Sequence, residues 1–254
     1  MHFTKLTFLM LICTLAAGAS ANSLPKTVKK IKPSIVGVGI YDPIGSPRNQ
    51  LHGTGFAIAN GYYIATNYHV VGKGLKGESK QSRIVFIGTG SHPKISHAEI
   101  VASDPAHDLA ILLIKDKVPA LLLMPDDFVD EGIEVAFTGF PIGSVLGLYP
   151  ATHKGLISAL TPVAIPSINA NQLSIEMLKR LRKPFFIYQM DATAYPGNSG
   201  SPVYTTDTGE VLGIINKVFV KQTKEKILSD PSDISYSIPI KHLRALARSI
   251  SIDI

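Results

Sequence analysis

Short runs of apolar and β-branched residues, separated by Gly, Pro, Asn and Asp, recur along most of the chain. Runs of this kind, bounded by turn residues, predict β-strands. They fall in two sets, before and after a break near residues 125–133. We predict strands at residues 34–40, 55–58, 62–66, 83–87, 100–102, 109–114, 134–140, 155–160, 186–190, 202–204, 211–215 and 235–239. Since strands do not alternate regularly with helices, the pattern predicts an all-β fold of two tandem six-stranded antiparallel β-barrels.

Two further stretches have helical spacing of their apolar residues. Residues 240–250 place Ile240, Leu243, Leu246, Ala247 and Ile250 on one face, which predicts a short C-terminal helix. The stretch 175–183, from Ile175 to Lys183, is also amphipathic and carries four basic residues. We therefore expect a first barrel at about 33–125, a second at about 130–240, and a helix at about 240–250.

The first 21 residues have the pattern of a secretory signal. Lys5 and the amino terminus are positive, residues 6–17 are largely apolar, and Ala19-Ser20-Ala21 is a small-x-small cleavage site. The apolar run is too short to span a bilayer, which needs about 20 residues. We predict cleavage after Ala21 and export to the periplasm or out of the cell, leaving residues 22–254 as the exported domain.

Composition narrows the classes of function. Hydrophobic residues make up 45% of the chain and charged residues only 17%, which excludes an intrinsically disordered protein. The only cysteine, Cys13, lies in the signal segment, so thiol catalysis and thiolate metal sites are excluded for the exported domain. The net charge of +6 is scattered and accompanies no motif of interleaved aromatic and basic residues. Nucleic acid is therefore not a predicted partner.

A candidate nucleophile lies in the segment Pro196-Gly197-Asn198-Ser199-Gly200-Ser201-Pro202. A serine flanked by glycines on a tight turn can expose its hydroxyl. The same turn can aim the N–H groups of Gly197 and Ser199 at one point, as an oxyanion hole requires. Taken alone, the segment is equally compatible with an ordinary β-turn.

Two other points of the chain supply a base and an acid. His69 stands at the end of a predicted strand, and histidine can take a serine proton near neutral pH. Asp108 heads the strongly apolar strand 109–114, which would hold a carboxylate at the barrel rim, where it could orient an imidazole. Asp104 is interpreted as a turn residue before Pro105.

The order His69, Asp108, Ser199 and the residues around them resemble the HtrA/DegP-type serine proteases, which are trypsin- and chymotrypsin-like. The matching segments are 53–56, 66–70, 108–112, 155–160, 189–192, 197–200 and 236–239, and the similarity runs from about Pro33 to Leu246. The resemblance implies two perpendicular barrels with the active site in the cleft between them. It implies Ser199 as nucleophile, His69 as general base and then acid, Asp108 as its orienting partner, and an oxyanion hole formed by Gly197 and Ser199. The implied reaction is peptide-bond hydrolysis of polypeptide substrates through an acyl-enzyme, with no cofactor and no metal site.

The chain departs from the family pattern in ways that bear on substrate choice. We expect no PDZ domain, and Ser201 stands where the family usually has a second Gly. The segment 197–203 is in this respect similar to bacterial glutamyl endopeptidases, but Ile215 lies near the place of their specificity histidine. We therefore expect a substrate pocket near Thr193, Ile214 and Asn216 that accepts a small or medium apolar residue.

Several alternatives stay open at this point. A protein with the protease fold but without catalysis could serve as a binding or regulatory module. The stretch 175–183 is either a solvated helix or a regulatory or membrane-surface contact, since cationic amphipathic helices bind anionic lipid. Residues 217–235 form a loop that we expect to be mobile until substrate binds. The resemblance also makes a homo-oligomer using residues 22–32 an open expectation.

Overall fold

A computed structural model describes residues 23–72, 75, 80–142, 147–163, 184–216 and 234–254. The signal segment, the stretch 175–183 and nearly all of the loop 217–235 lie outside these residues. The strands of the first barrel are β1 (Ile35–Tyr41), β2 (Asn49–Ile58), β3 (Tyr63–Asn67), β4 (Ser82–Ile87), β5 (Lys94–Asp104) and β6 (Leu109–Ile114). Those of the second are β7 (Glu134–Gly139), β8 (Ala151–Pro162), β9 (Phe186–Asp191), β10 (Pro202–Thr205), β11 (Val211–Asn216) and β12 (Ile234–Pro239).

Each set of six strands closes into an antiparallel barrel, which confirms the predicted fold class. The order is β1-β2-β3-β6-β5-β4 in the first barrel and β10-β11-β12-β9-β8-β7 in the second. Closure leaves neither sheet with an unpaired edge. The two barrels have the same order of pairing, since the second, followed from its first strand, reads β7-β8-β9-β12-β11-β10 and corresponds strand for strand to β1-β2-β3-β6-β5-β4.

Three strands are much longer than the sequence pattern predicts. β2, β5 and β8 have 10, 11 and 12 residues. The register shifts between Ile100 and Ala102 in β5 and between Ile157 and Ala159 in β8. A bulge of this kind inserts one residue and reverses the alternation of inward and outward side chains. The alternating pattern is therefore interrupted within a continuous strand.

The apolar side chains form three clusters. One fills the first barrel and includes Val38, Val85 and Leu112. A second fills the other barrel and includes Phe137 and Tyr188. The third joins residues of both barrels to the C-terminal helix and contains, among others, Phe56, Ile58, Tyr204, Ile214 and Leu243. This central cluster holds the barrels together where the candidate residues converge.

Three α-helices flank the barrels in the described parts of the chain. α1 (Leu24–Ile31) has a proline in its first turn and was not predicted, and it continues into a 3-10 turn at Lys32–Ser34. α2 (Tyr68–Val71) is a single turn that follows β3 directly. α3 (Ile240–Arg248) confirms the predicted C-terminal helix and buries Ile240, Leu243, Leu246 and Ala247. None of the helices in the described residues is long and apolar enough to cross a membrane.

Candidate active site

His69 lies on α2, the single helical turn that directly follows β3 of the first barrel. Its Nδ1 is 2.6 Å from Asp108 Oδ2, and its main-chain N–H donates to Asp108 Oδ1 over 2.8 Å. Because a carboxylate only accepts hydrogen bonds, Nδ1 carries the proton of the neutral imidazole and Nε2 keeps a lone pair. The His69 side chain remains 33% exposed, so a reactant can approach that ring.

Asp108 is the last residue of the turn between β5 and β6, and its side chain is nearly buried. Its φ of +54° lies in the left-handed region, which is strained for a residue other than glycine. The conformation is fixed by its neighbours, since its carbonyl oxygen accepts from Tyr68 N (3.0 Å) and from Asn67 Nδ2 (3.1 Å). Strain of this kind persists where the surroundings over-determine it, as they do at functional sites.

Asn216, at the end of β11, completes the surroundings of the carboxylate. Its Nδ2 donates to Asp108 Oδ2 over 2.8 Å, and the residue is 1% exposed. The buried carboxylate is thereby compensated by two donors from His69 and one from Asn216. The second barrel thus supplies a direct contact to the acid of the first barrel.

Ser199 lies in the loop that leads into β10, on the second barrel. Its carbonyl oxygen accepts from Thr54 N over 2.9 Å, and Thr54 Oγ1 donates to the Gly197 carbonyl over 2.7 Å. The hydroxyl of Thr54 also accepts from Phe140 N over 3.0 Å. Thr54 is fully buried, so this side chain of β2 fixes the loop of the second barrel against the first.

The main-chain N–H groups of this loop differ in their bonding. The N–H groups of Asn198, Gly200 and Ser201 donate to protein carbonyl oxygens, at 3.0 Å in each case. Among the described residues, no acceptor is found for the N–H groups of Gly197 and Ser199. These are the two donors that the sequence predicts for an oxyanion hole.

Two glycines of the loop are required by their surroundings. Gly197 has φ +98°, and a Cβ there would lie 2.2 Å from the Phe140 carbonyl oxygen. Gly200 has φ +87°, and a Cβ there would lie 2.0 Å from the Thr54 carbonyl oxygen. The glycines flanking Ser199 therefore let the loop approach two other backbone segments closely.

Ser201 occupies space that another residue leaves free. A Cβ on Gly139 would lie 2.0 Å from Ser201 Oγ and 2.8 Å from Thr54 Oγ1. Ser201 is fully buried, and its hydroxyl points at the end of β7. Ser201 is thus accommodated by a glycine on the neighbouring strand.

Short contacts between β2, β11 and the loops connect the segments that carry the three predicted catalytic residues. A Cβ on Gly53 would lie 2.8 Å from a methyl of Val70, next to His69, and 3.0 Å from the Ser199 carbonyl oxygen. Gly200 N donates to Ile215 O, and the next residue, Asn216, holds Asp108. No hydrogen bond between Ser199 Oγ and His69 occurs among the described residues. Catalytic hydrogen bonds often tighten only when substrate binds.

The residues predicted to line the substrate pocket lie in different surroundings. Thr193 is half-buried in the segment between β9 and Ser199. Ile214 is 1% exposed and packs in the central cluster, and the Asn216 side chain is bound to Asp108. Both side chains are occupied by these contacts, so a substrate contact from Ile214 or Asn216 would have to come from the main chain.

Sequence reasoning missed the positioning roles of Thr54, Asn67 and Asn216. Each is a fully or almost fully buried polar residue within or at the end of an apolar strand. Buried polar groups need partners, and here those partners are Gly197, Asp108 and the carboxylate of Asp108. A polar residue interrupting an apolar strand next to a candidate motif is the signal that could have found them.

No group of three or more His, Cys, Asp or Glu side chains that could hold a metal ion is found in the described ranges. The contacts above consist of an imidazole, a carboxylate, a hydroxyl and main-chain N–H groups. Groups of these kinds can transfer a proton from a hydroxyl to an imidazole and can stabilise an oxyanion.

Comparison with known families and sequences gives a consistent result. Residues 53–214 match the trypsin-like peptidase domain. The chain is 31% identical over 189 residues to a probable periplasmic serine endoprotease DegP-like of Halomonas elongata, covering 74% of this chain and 32% of that protein. It is 29% identical over 190 residues to the serine protease Do-like HtrA of Bacillus subtilis, covering 74% of this chain and 36% of that protein. The chain thus spans about a third of the length of these relatives.

Solved structures show the same fold. The active form of the Rv3671c protease from M. tuberculosis superposes with a TM-score of 0.65 at 20% identity, covering 100% of this chain and 96% of that one. The HtrA-type protease AlgW with tripeptide has a TM-score of 0.64 at 24% identity, covering 89% of this chain and 63% of that one.

Proposed function

Because the chain belongs to the trypsin-like peptidase domain family, we propose that it is a serine endopeptidase that hydrolyses peptide bonds through an acyl-enzyme. The observation that carries the proposal is the imidazole of His69, whose Nδ1 is bonded to a nearly buried carboxylate over 2.6 Å. This bond fixes the tautomer that leaves Nε2 free to accept a proton. The Ser199 loop supports the same reaction, since the N–H groups of Gly197 and Ser199 have no acceptor among the described residues.

In the proposed reaction Ser199 Oγ attacks the carbonyl carbon of the substrate while its proton passes to His69 Nε2. The oxyanion that forms is held by the N–H groups of Gly197 and Ser199. Asp108 stabilises the imidazolium and keeps its orientation, and Asn216 holds the carboxylate in place. His69 then gives the proton to the leaving amine, and water releases the acyl group by the reverse sequence.

Labelling with a fluorophosphonate tests the proposal directly, because this reagent reacts with an activated serine. The wild-type chain should be labelled and should hydrolyse a peptide library, while Ser199→Ala should do neither. Ser201→Ala is the matched control, since it removes a neighbouring serine hydroxyl and should keep the labelling. Absence of labelling in a folded wild-type chain would favour the alternative of a catalytically silent binding or regulatory module.

We further propose that the enzyme cleaves after small or medium apolar residues. The predicted pocket residues Thr193, Ile214 and Asn216 support this, because none of them is a cation that could bind the carboxylate of a glutamate side chain. Profiling of cleavage sites on a peptide library tests this preference. A strong preference for Glu or Arg before the cleaved bond would contradict it.

The protein is also proposed to act after export. The signal pattern of residues 1–21 and the similarity to DegP-like proteins named as periplasmic support this location. Cell fractionation with sequencing of the mature amino terminus tests it. The expected result is an exported chain that begins at Asn22, and a cytoplasmic chain that keeps Met1 would contradict it.

A contact of the stretch 175–183 with a membrane surface or regulator is the remaining partner proposal. Its four basic residues favour an anionic surface. Deletion of residues 174–183 should release the protein from anionic vesicles while peptide hydrolysis persists. Unchanged binding to vesicles and unchanged localisation would contradict this contact.

A further inference from the structure

The turn between β5 and β6 contains a second pair of carboxylate and imidazole. His107 Nδ1 lies 2.5 Å from Asp104 Oδ2. Asp104 Oδ1 accepts from the main-chain N–H groups of Ala106 (3.0 Å) and His107 (3.2 Å). A carboxylate that bonds N–H groups two and three residues ahead closes an Asx turn. Asp104 therefore fixes both the backbone of the turn and the ring of His107.

This pair repeats the bonding of the candidate catalytic pair. In both cases Oδ1 of the aspartate accepts the main-chain N–H of a histidine, and Oδ2 bonds Nδ1 of the same histidine. The two aspartates stand on either side of one turn, since Asp104 ends β5 and Asp108 precedes β6. Asp104 pairs with Leu109 across the two strands, so both ends of the turn are joined to the barrel.

The turn has to hold Asp108 in an unfavourable conformation. A left-handed backbone is unfavourable for a residue with a Cβ. The contacts of Asp108 with Asn67, Tyr68 and His69 fix it from the side of β3. On the other side, the main-chain bond from Asp108 N to Pro105 O is long, at 3.4 Å. The bonds from Ala106 N and His107 N to Asp104 Oδ1 are shorter, at 3.0 and 3.2 Å, and constrain the same side of the turn.

His107 also connects the turn to the other half of the molecule. Its ring stacks on that of His242 in α3, with the centroids 4.1 Å apart and the planes 23° apart. The ring of Phe185, just before β9, lies 4.4 Å from His107 and 5.0 Å from His242. β9 is a strand of the second barrel, which also carries Ser199, and α3 directly follows the last strand of that barrel.

We propose that Asp104 is a positioning residue for catalysis, which acts through His107 to hold Asp108 in place relative to the second barrel. The inference rests on the proposed function, in which Asp108 of one barrel serves Ser199 of the other. The stack of His107 on His242 and Phe185 ties the turn to the barrel that holds the nucleophile. Asp104 touches neither substrate nor the reacting atoms, so its effect passes through the geometry of Asp108.

Kinetics of Asp104→Ala and Asp104→Asn test the proposal. Misplacement of a catalytic group by about 1 Å can cost on the order of a hundredfold in rate. We expect kcat to fall about ten- to a hundredfold in Asp104→Ala, with KM within about twofold. Asp104→Asn keeps an oxygen that can accept the main-chain hydrogen bonds, so its kcat should fall less than that of Asp104→Ala. Asp207→Asn is the matched control, because Asp207 also bonds a turn N–H, that of Thr208, but lies on the β10–β11 turn.

A spectroscopic measurement separates this proposal from the proposed function. The Nδ1–H protons of His69 and His107, each bonded to a carboxylate, should give low-field proton resonances, which His69→Gln and His107→Gln assign. Asp104→Asn should remove the His107 resonance and also shift that of His69, whether or not the chain hydrolyses peptides. If Asp104→Ala does not fold, Asp104→Asn provides both readouts. An unmoved His69 resonance with unchanged kcat in a folded Asp104 variant would overturn the proposal, even if Ser199 is confirmed as the nucleophile.

Discussion

Removal of the Asn216 amide is the sharpest test of how the second barrel supports the acid of the first. Asn216→Ala deletes a donor that lies 2.8 Å from Asp108 Oδ2. The two residues are 1% and 3% exposed, so water cannot readily replace the lost bond. A hydrogen bond to a charged group contributes about 1.5–3 kcal/mol, and its loss leaves the carboxylate partly uncompensated. We therefore expect the free energy of unfolding to fall by about 2 kcal/mol.

The effect on catalysis follows from the same bond. Since misplacement of a catalytic group by about 1 Å can cost about a hundredfold in rate, loss of the bond that holds Asp108 should lower kcat about ten- to a hundredfold. Asn216→Asp, which has the same shape but replaces the donor with an acceptor, should lower kcat further. The assay is hydrolysis of the best peptide from library profiling, with urea unfolding of each variant in parallel.

A double-mutant cycle shows whether the effect passes through Asp108. In an Asp108→Asn background, the further change Asn216→Ala should have less than half of its effect in the wild-type chain, because the carboxylate that it serves is already gone. Equal effects in both backgrounds would refute the reasoning. So would an Asn216→Ala variant whose stability and kcat both match those of the wild type.

Two further results are expected. Gly197→Ala should abolish peptide hydrolysis, because the new Cβ would lie 2.2 Å from Phe140 O. For the same reason it should lower the free energy of unfolding by more than the roughly 1 kcal/mol that backbone strain alone costs. Gly132→Ala is the control: φ is +88° there but no atom lies within 4 Å, so urea unfolding should show the strain alone. Burial, followed by the charge of His107, lowers the pKa of His242 from 6.5 to about 4. The unfolded chain therefore binds a proton that the folded chain does not between these values, and stability falls as the pH drops through this window. His242→Phe keeps an aromatic ring beside His107. Between about pH 7 and 5, its free energy of unfolding should fall by about 1 kcal/mol less than that of the wild type. The same pH dependence of unfolding free energy in both chains would contradict this.

Much of the fold could be predicted because each strand carries its own local signal. β6 was predicted with its observed bounds, since Leu109–Ile114 is a continuous apolar run that begins after an aspartate. β5 was predicted only at residues 100–102 of its eleven. A bulge near Val101 exchanges the inward-facing and outward-facing positions of the strand. The apolar and polar residues before and after the bulge therefore do not follow a single alternation.

The helix α1 could not be predicted from its isolated sequence. Three of its eight residues are lysines, and it is stabilised by contacts far away in the chain. Ser23 Oγ and Thr27 Oγ1 donate to carbonyl oxygens of Thr206 and Asp207, and Ile31 is fully buried in the central cluster. These are tertiary contacts, which local helical preference does not contain.

The candidate site shows the same division between local and distant signals. His69, Asp108 and the Ser199 loop stand at strand ends and turns, where the sequence marks them by Gly, Pro and a change from apolar to polar residues. The contact between Asn216 and Asp108 joins residues 108 positions apart and has no local mark. Asp104, interpreted from sequence as a turn residue, does close a turn, but its bond to the His107 ring depends on side-chain geometry.

The close fit between Gly139 and Ser201 makes these two positions interdependent. The Ser201 hydroxyl oxygen lies 2.0 Å from the position that a Cβ on Gly139 would take. This space can therefore hold the Ser201 hydroxyl or a side chain at position 139, but not both. A side chain at position 139 would therefore need a glycine at position 201 and, in addition, a shift of Thr54 Oγ1, which lies 2.8 Å from the same Cβ position. A chain engineered to carry a side chain at position 139 would have to lose the Ser201 hydroxyl first, since a chain with both side chains would force the Ser199 loop away from the first barrel.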